Sequence, residues 1–177
     1  MCLAYRESWR YLVTLKVVFI ITFTVFPSVM VTTPLDFMQQ VSDPALRVSW
    51  SVLIFIFTYN LTDTLGRWVA GQSFGALSNK AVLLLSYIRV VFIASSFLIN
   101  YKTAPSWLFQ ADWFKLLNMA LFAFTNGYCG TQCAAKATTQ ASDNLKDVVG
   151  TFVSVSMTLG IVIGCLAALV TGPILNR

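Results

Sequence analysis

The sequence predicts an all-α, polytopic membrane protein, and three observations predict it. Only 12 Lys and Arg and 7 Asp and Glu occur in 177 residues, 11% charged, against roughly 25% in a soluble domain. Hydrophobic residues make up 57% of the chain and mean hydropathy is +0.73. Disorder is thereby excluded, since it requires low hydrophobicity and high charge. Finally, the apolar residues fall into five blocks, each long enough to cross a hydrocarbon core of roughly 30 Å, which takes about 17 to 25 helical residues. None of the blocks alternates as a strand would, and a helix satisfies its own backbone hydrogen bonds in lipid.

The blocks cover 11–31, 48–69, 81–99, 114–137 and 148–171. Short polar connections separate them: Val31-Thr32-Thr33-Pro34 with Ser42-Asp43-Pro44, then 75–80, Thr103-Ala104-Pro105, and Ser142-Asp143-Asn144. Each is rich in residues that turn or stop a helix. No linker divides the chain, so 1–177 reads as a single membrane domain of five transmembrane helices.

The net charge of +5 does not point to nucleic acid, because the basic residues are scattered between apolar blocks instead of forming a stripe. They read as topology signals. With the N-terminus cytoplasmic, Arg6, Arg10, Lys16, Arg67, Lys80, Lys136 and Lys146 fall on the inner side. Arg47, Lys102, Lys115 and Arg177 fall on the outer side, and Arg89 lies within a block. This asymmetry predicts N-terminus in and C-terminus out. Arg6 and Arg10 before an apolar core also suit a signal sequence, but the block is long and no A-x-A-like cleavage site follows.

The chain has no histidine and four cysteines, Cys2, Cys129, Cys133 and Cys165. That set excludes a disulfide framework, a zinc site and a His-based catalytic centre. An intramembrane protease would need a Ser-His or paired-Asp arrangement, and Asp63 is the one acid inside any block. No enzyme, metal or cofactor is expected. Cys129 and Cys133 read as small packing residues, and the sequon Asn60-Leu61-Thr62 lies inside a helix, out of reach of glycosylation. Trp9, Tyr11, Trp107 and Trp113 lie near block ends, as an interfacial aromatic belt would.

Within a membrane helix the informative residues are polar, because an ionisable group at the centre costs ~2.5 to 3.5 kcal/mol even on the lenient insertion scale. In the second block, Asn60, Asp63 and Arg67 lie within about 60° of one another at 100° per residue. Asp63 and Arg67 are four apart, the spacing at which opposite charges meet on a helix. Arg67, near the block end, can snorkel; Asp63 is too short to do so. Arg89, at the middle of the third block, needs an anion or a water-filled cavity, and a shared polar cavity with Asp63 and Arg67 is the economical arrangement. Whether Asp63 pairs with Arg89 directly depends on which helices are neighbours. In the fourth block Asn126 could bond a solute or a neighbouring helix. In the fifth, Ser156, Gly160, Gly164, Ala168 and Gly172 make a stripe of small residues, a close-packing seam.

The pattern N-x-x-D-x-x-G-R at Asn60, Asp63, Gly66 and Arg67 resembles the eighth membrane helix of the equilibrative nucleoside transporter family. Arg89-Val90-Val91-Phe92-Ile93 resembles its ninth helix, Phe124-Thr125-Asn126-Gly127-Tyr128 its tenth, and Gly150 with the small-residue seam its eleventh. The chain departs at Ala94, where the family usually has Pro, and after Tyr128, where the usual Met-rich ending is missing. The resemblance implies the C-terminal bundle of a major-facilitator-like carrier, with a further six-helix N-terminal half as partner. It implies a nucleoside or nucleobase as solute, moved by alternating access, with Asp63, Arg67, Asn60, Arg89 and Asn126 as the binding residues. A transport-inactive membrane scaffold derived from such a carrier is the alternative reading. The plasma membrane is the expected location, with an intracellular membrane as the alternative.

Single cysteines introduced at Pro34 and at Asn79 check the orientation: an impermeant thiol reagent on intact cells should label the first and spare the second. Labelling confined to Asn79 would reverse the topology.

Overall fold

The computed structural model describes residues 2–26, 33–100 and 107–175, and every regular element among them is helical. Seven α-helices follow in order: α1 (Cys2–Val25), α2 (Pro44–Ala70), α3 (Asn79–Ile88), α4 (Val91–Asn100), α5 (Trp107–Gln110), α6 (Asp112–Gln140) and α7 (Lys146–Leu175). Short 3₁₀ turns at Asp36–Gln40, Ser73–Gly75 and Asp143–Leu145 lie between them. The starts are written in local chemistry. Asp43 caps α2, its carboxylate accepting from the Ala45 N–H at 2.9 Å, with Pro44 supplying a preset φ at the first helical position. Ser78 caps α3 by accepting from the Ala81 N–H at 3.3 Å.

α6 is the hub. It packs against α1 and α2 most extensively and also touches α3, α4, α5 and α7. Its buried residues include Lys115, Asn118, Asn126 and Gln132 beside Met119, Phe122, Ala123, Cys129 and Cys133. This location explains a departure from the expected five spans. Four segments are long and apolar enough to cross a membrane: Leu3–Val25, Pro44–Ala70, Asn79–Asn100 and Asp143–Thr171. The 29 residues of α6 reach about 43 Å at 1.5 Å each, but its polar residues keep it out of that group. A helix wrapped by its neighbours has little lipid to satisfy, so its polar groups can bond to protein instead.

Other boundaries also move. α1 begins at Cys2, not near 11, and takes Arg6 and Arg10 into the helix. Tyr11, expected at the interface, is 2% exposed and belongs to the core with Leu12, Leu15 and Phe19. Trp9, Trp107 and Trp113 remain exposed. The third block is two helices, broken at Arg89 and Val90. Around the break the bonds tighten from the α pattern, with Val90 N–H donating to Tyr87, Phe92 to Arg89 and Ile93 to Val90. Neither Pro nor Gly stands there. Two side chains act on that stretch of backbone: the Ser86 hydroxyl donates back to the Val82 carbonyl at 2.8 Å, which bends helices, and Arg89 reaches across to other helices. The end of the first block, Val31-Thr32, Thr103-Ala104-Pro105, Lys102 and Arg177 lie outside the described residues.

Glycines let the backbones close up. A Cβ on Gly66 would meet the Phe124 carbonyl, and one on Gly127 would meet the Asp63 carbonyl, so two glycines in two motifs bring α2 and α6 into backbone contact. The small-residue stripe of α7 works as expected: a Cβ on Gly160 would come within 2.7 Å of the Lys16 carbonyl, and one on Gly164 within 2.7 Å of Phe23 Cβ. α7 therefore packs on α1, their contact being the most extensive in the bundle.

The two ends are tied by polar contacts to α6. At one, the Tyr128 hydroxyl donates to the Gly75 carbonyl at 2.6 Å and Gln132 Nε2 to the Ala70 carbonyl at 2.7 Å. At the other, the Asp112 carboxylate accepts from the N–H groups of Asp36 and Phe37 at 3.0 and 2.8 Å. There too the buried Lys115 donates to Pro34 and to Asp112 at 2.9 and 3.1 Å.

Close packing makes Gly127→Ala an overpacking change expected to cost roughly 1 to 3 kcal/mol, whereas Gly150, with nothing within 4 Å of its added Cβ, should take Ala neutrally or with a small gain. Thermal midpoints of the full chain in detergent micelles compare the two; equal losses would contradict the α2–α6 contact. A pH effect follows at Asp112. Burial raises its pKa, but the bonds from Asp36, Phe37 and Lys115 outweigh that and lower it below the ordinary 3.8. A lowered pKa contributes stability above the ordinary value and loses it as pH falls through the shifted one. The wild type should therefore lose thermal stability more steeply than Asp112→Asn below about pH 4.

Candidate functional site

Because Gly66 and Gly127 allow α2 and α6 to touch, Asp63, one turn before Gly66, meets Asn126, the residue just before Gly127. Asp63 is 8% exposed. Its Oδ2 accepts from Arg67 Nε at 2.7 Å, the expected ion pair one turn along α2. Its Oδ1 accepts from Asn126 Nδ2, also at 2.7 Å. The same amide donates to the Tyr59 hydroxyl at 3.1 Å, and Asn126 Oδ1 accepts from the Thr22 hydroxyl of α1 at 2.7 Å. All the bonding capacity of the Asn126 nitrogen goes to protein, and the residue is 2% exposed.

Arg89 does not pair with Asp63. It is fully buried, 0% exposed, and forms no ion pair among the described residues. Its guanidinium instead donates to the Thr125 hydroxyl at 3.1 Å, the Val18 carbonyl at 3.0 Å, the Thr22 hydroxyl at 2.9 Å and the Phe122 carbonyl at 3.3 Å. It also lies 5.2 Å from the centre of the Phe122 ring. A buried cation is costly unless its hydrogen-bonding capacity is met, and here the fork draws on α1 and α6 together. Oriented carbonyl and hydroxyl dipoles are its partners among the described residues. Five donors held in a plane suit such a cradle better than the single ammonium of Lys would.

Asn60 does not join the network. It is exposed and donates to its own helix at Ile56, 2.8 Å away. It shares an outward strip with Thr64, also exposed, and Arg67, whose side chain is 44% exposed. Among the described residues only the Nε of Arg67 is engaged, and the terminal nitrogens of this half-exposed side chain have no partner there. Exposed Phe57, Leu61, Leu65 and Trp68 lie along one side of the strip.

The structure thus brings Asp63, Arg67 and Asn126 into direct contact, connects Arg89 through Thr22, and leaves Asn60 apart. Sequence reasoning missed Thr22, Tyr59 and Thr125. Thr22 offered a faint signal, being one polar residue in an apolar block; Tyr59 offered none. Tyr59 stacks on Phe26 with ring centres 4.1 Å apart and planes 4° from parallel, and among the described residues its own hydroxyl proton has no acceptor. Cys129 and Cys133 are free and buried, as packing residues would be, and the described residues hold no group of three potential metal ligands.

Four helical segments long and apolar enough to cross a membrane, packed around a polar hub, define a multi-pass membrane protein. The family model described as Nucleoside transporter matches residues 6–171, and the chain belongs to that family. Among its curated relatives is equilibrative nucleoside transporter 4 of Danio rerio, 22% identical over 163 residues. The matched region takes in 92% of this chain but 29% of that relative, so the chain spans less than a third of the relative's length.

Proposed function

We propose that this chain is the C-terminal part of an equilibrative nucleoside transporter and carries nucleosides or nucleobases by alternating access together with a six-helix N-terminal half. In this reading α6 also crosses the membrane, which brings the spans to five, and the bundle is one of two that rock about a site near the midplane. The N-terminus is cytoplasmic, the C-terminus is on the other side, and the plasma membrane is the working location.

The observation that carries the reading is the state of the Asp63–Arg67 pair. Asp63 is held from behind by Asn126, while Arg67 presents unpartnered terminal nitrogens on the outward face of α2. A pair that served only to hold helices together would be expected to bury both members. Here one is held and the other is presented, which suits recognition of ribose hydroxyls or base acceptors. Asp63 and Arg67 contact the solute directly, with Asn60 bordering the same face. Arg89 and Asn126, the other two expected binding residues, act behind them. The outward strip of Asn60, Thr64 and Arg67 needs an opposing polar wall, and the N-terminal half supplies it.

Nucleoside uptake tests this. In an uptake-deficient cell the chain alone should give background flux, and flux should appear when a matching six-helix half is co-expressed. In that assembled carrier Asp63→Asn should cut the initial uptake rate strongly at unchanged surface abundance. A structural ion pair predicts the opposite: abundance falls because breaking a buried pair costs about 3 to 5 kcal/mol, and Asp63→Asn with Arg67→Gln together restores abundance with transport intact. Normal transport by that double variant would mean that the two charges only hold the helices together and that this face does not bind the solute.

A further inference from the structure

Thr22 and Arg89 lie outside the N-x-x-D-x-x-G-R pattern and away from the exposed strip. We infer that they are positioning residues that orient Asp63 through the amide of Asn126. The inference builds on the proposed role of Asp63, but its argument concerns only the chain's own hydrogen bonds.

The order of the bonds follows from which groups can donate. An ionised carboxylate only accepts, so the end of Asn126 lying 2.7 Å from Asp63 Oδ1 is the donor end. That places the amide oxygen toward Thr22, 2.7 Å away, where it must accept. Thr22 has a single proton and two acceptors within reach, Asn126 Oδ1 and the Val18 carbonyl of its own helix at 2.8 Å. Arg89 resolves the competition. One terminal nitrogen supplies the Val18 carbonyl at 3.0 Å and the other donates to the Thr22 oxygen at 2.9 Å. With its carbonyl partner already served and its oxygen already accepting, the Thr22 hydroxyl gives its proton to Asn126.

Every donor in the chain therefore points one way, from Arg89 to Thr22 to Asn126 to Asp63. Hydrogen bonds aligned head to tail polarise one another, and a low-dielectric interior strengthens them. The buried cation thus acts on the carboxylate across two intervening side chains that carry no charge. Asp63 is balanced on both oxygens, by Arg67 at Oδ2 and by the relay at Oδ1. Because the relay bears part of that task, one Arg67 nitrogen suffices for the ion pair and the terminal two remain available. The Asn126 amide also donates to Tyr59, so the relay fixes the Tyr59 oxygen as an acceptor.

Isotope-edited infrared spectroscopy of the full chain in detergent micelles tests this without any transport assay. The Asp63 band is the ¹³C-aspartate carboxylate band lost in Asp63→Asn. In Thr22→Val, which keeps the shape and deletes the hydroxyl, that band should shift; in Thr22→Ser it should return to the wild-type position. Thermal midpoints give the second measurement. Thr22→Val and Asp63→Asn, at residues that do not touch, should be non-additive, the double variant losing little more than the worse single one. An unmoved band in folded Thr22→Val, or additive losses, overturns the inference. If Thr22→Val does not fold, Thr22→Cys takes its place in both measurements, its weak thiol predicting a smaller shift of the same sign. A relay that behaves as stated beside an Asp63 indifferent to uptake would sink the proposed function alone, and an unmoved band beside a transport-defective Asp63→Asn would sink this inference alone.

Discussion

The contact on which the site depends is the meeting of two backbones where α2 crosses α6. Gly66 lies against the Phe124 carbonyl and Gly127 against the Asp63 carbonyl, and no residue with a Cβ fits either position. Membrane helices gain little from burying apolar surface against one another, because lipid is as apolar as the partner, so close packing of small residues does that work. The functional consequence is geometric. With the helix axes this close, an aspartate and an asparagine with short side chains can bond directly, and the ion pair of α2 is held from behind. α1 and α7 use the same device with Gly160 and Gly164, which fixes the wall carrying Thr22.

Charge in the interior is handled in two different ways. Asp63 has a charged partner one turn away and an amide on its other oxygen. Arg89 has no carboxylate at all among the described residues and is met by carbonyls and hydroxyls of two helices. That choice has a structural price at the α3–α4 junction, where the helix is interrupted at Arg89 and its hydrogen bonds tighten toward the 3₁₀ pattern. Such a break within a membrane segment is tolerated where protein covers it. Here α1 and α6 do, and the break becomes the point from which the guanidinium spans three elements.

The division of polar residues between inside and outside bears on transport. α6 gathers its polar groups toward neighbouring helices and satisfies them there. α2 instead exposes Asn60, Thr64 and Arg67 along one strip flanked by large apolar side chains. Hydrocarbon is a poor neighbour for that strip, and a second bundle is a good one. The chain belongs to the nucleoside transporter family and spans 29% of the zebrafish relative; in the function proposed above, a second carrier half covers that side.

The amino-acid sequence alone determined the helical class, the membrane environment, the ion pair at Asp63 and Arg67, and the packing role of the Gly160–Gly164 stripe. These are legible because they depend on composition and on spacing within one helix, where 3.6 residues per turn sets which side chains meet. The tertiary structure decided the rest. Arg89 was recognisable as an anomaly but not its partners, since Val18, Thr22, Phe122 and Thr125 come from two other helices and offer two backbone carbonyls and two hydroxyls, which spacing along a helix does not bring together. Tyr11 looked interfacial and is buried, because α1 starts nine residues earlier than its apolar run. α6 looked like an ordinary span and is the polar hub, because burial against protein rather than lipid is a property of its neighbours. Spacing along a helix reports which residues share a face; only the packing of helices reports what that face meets.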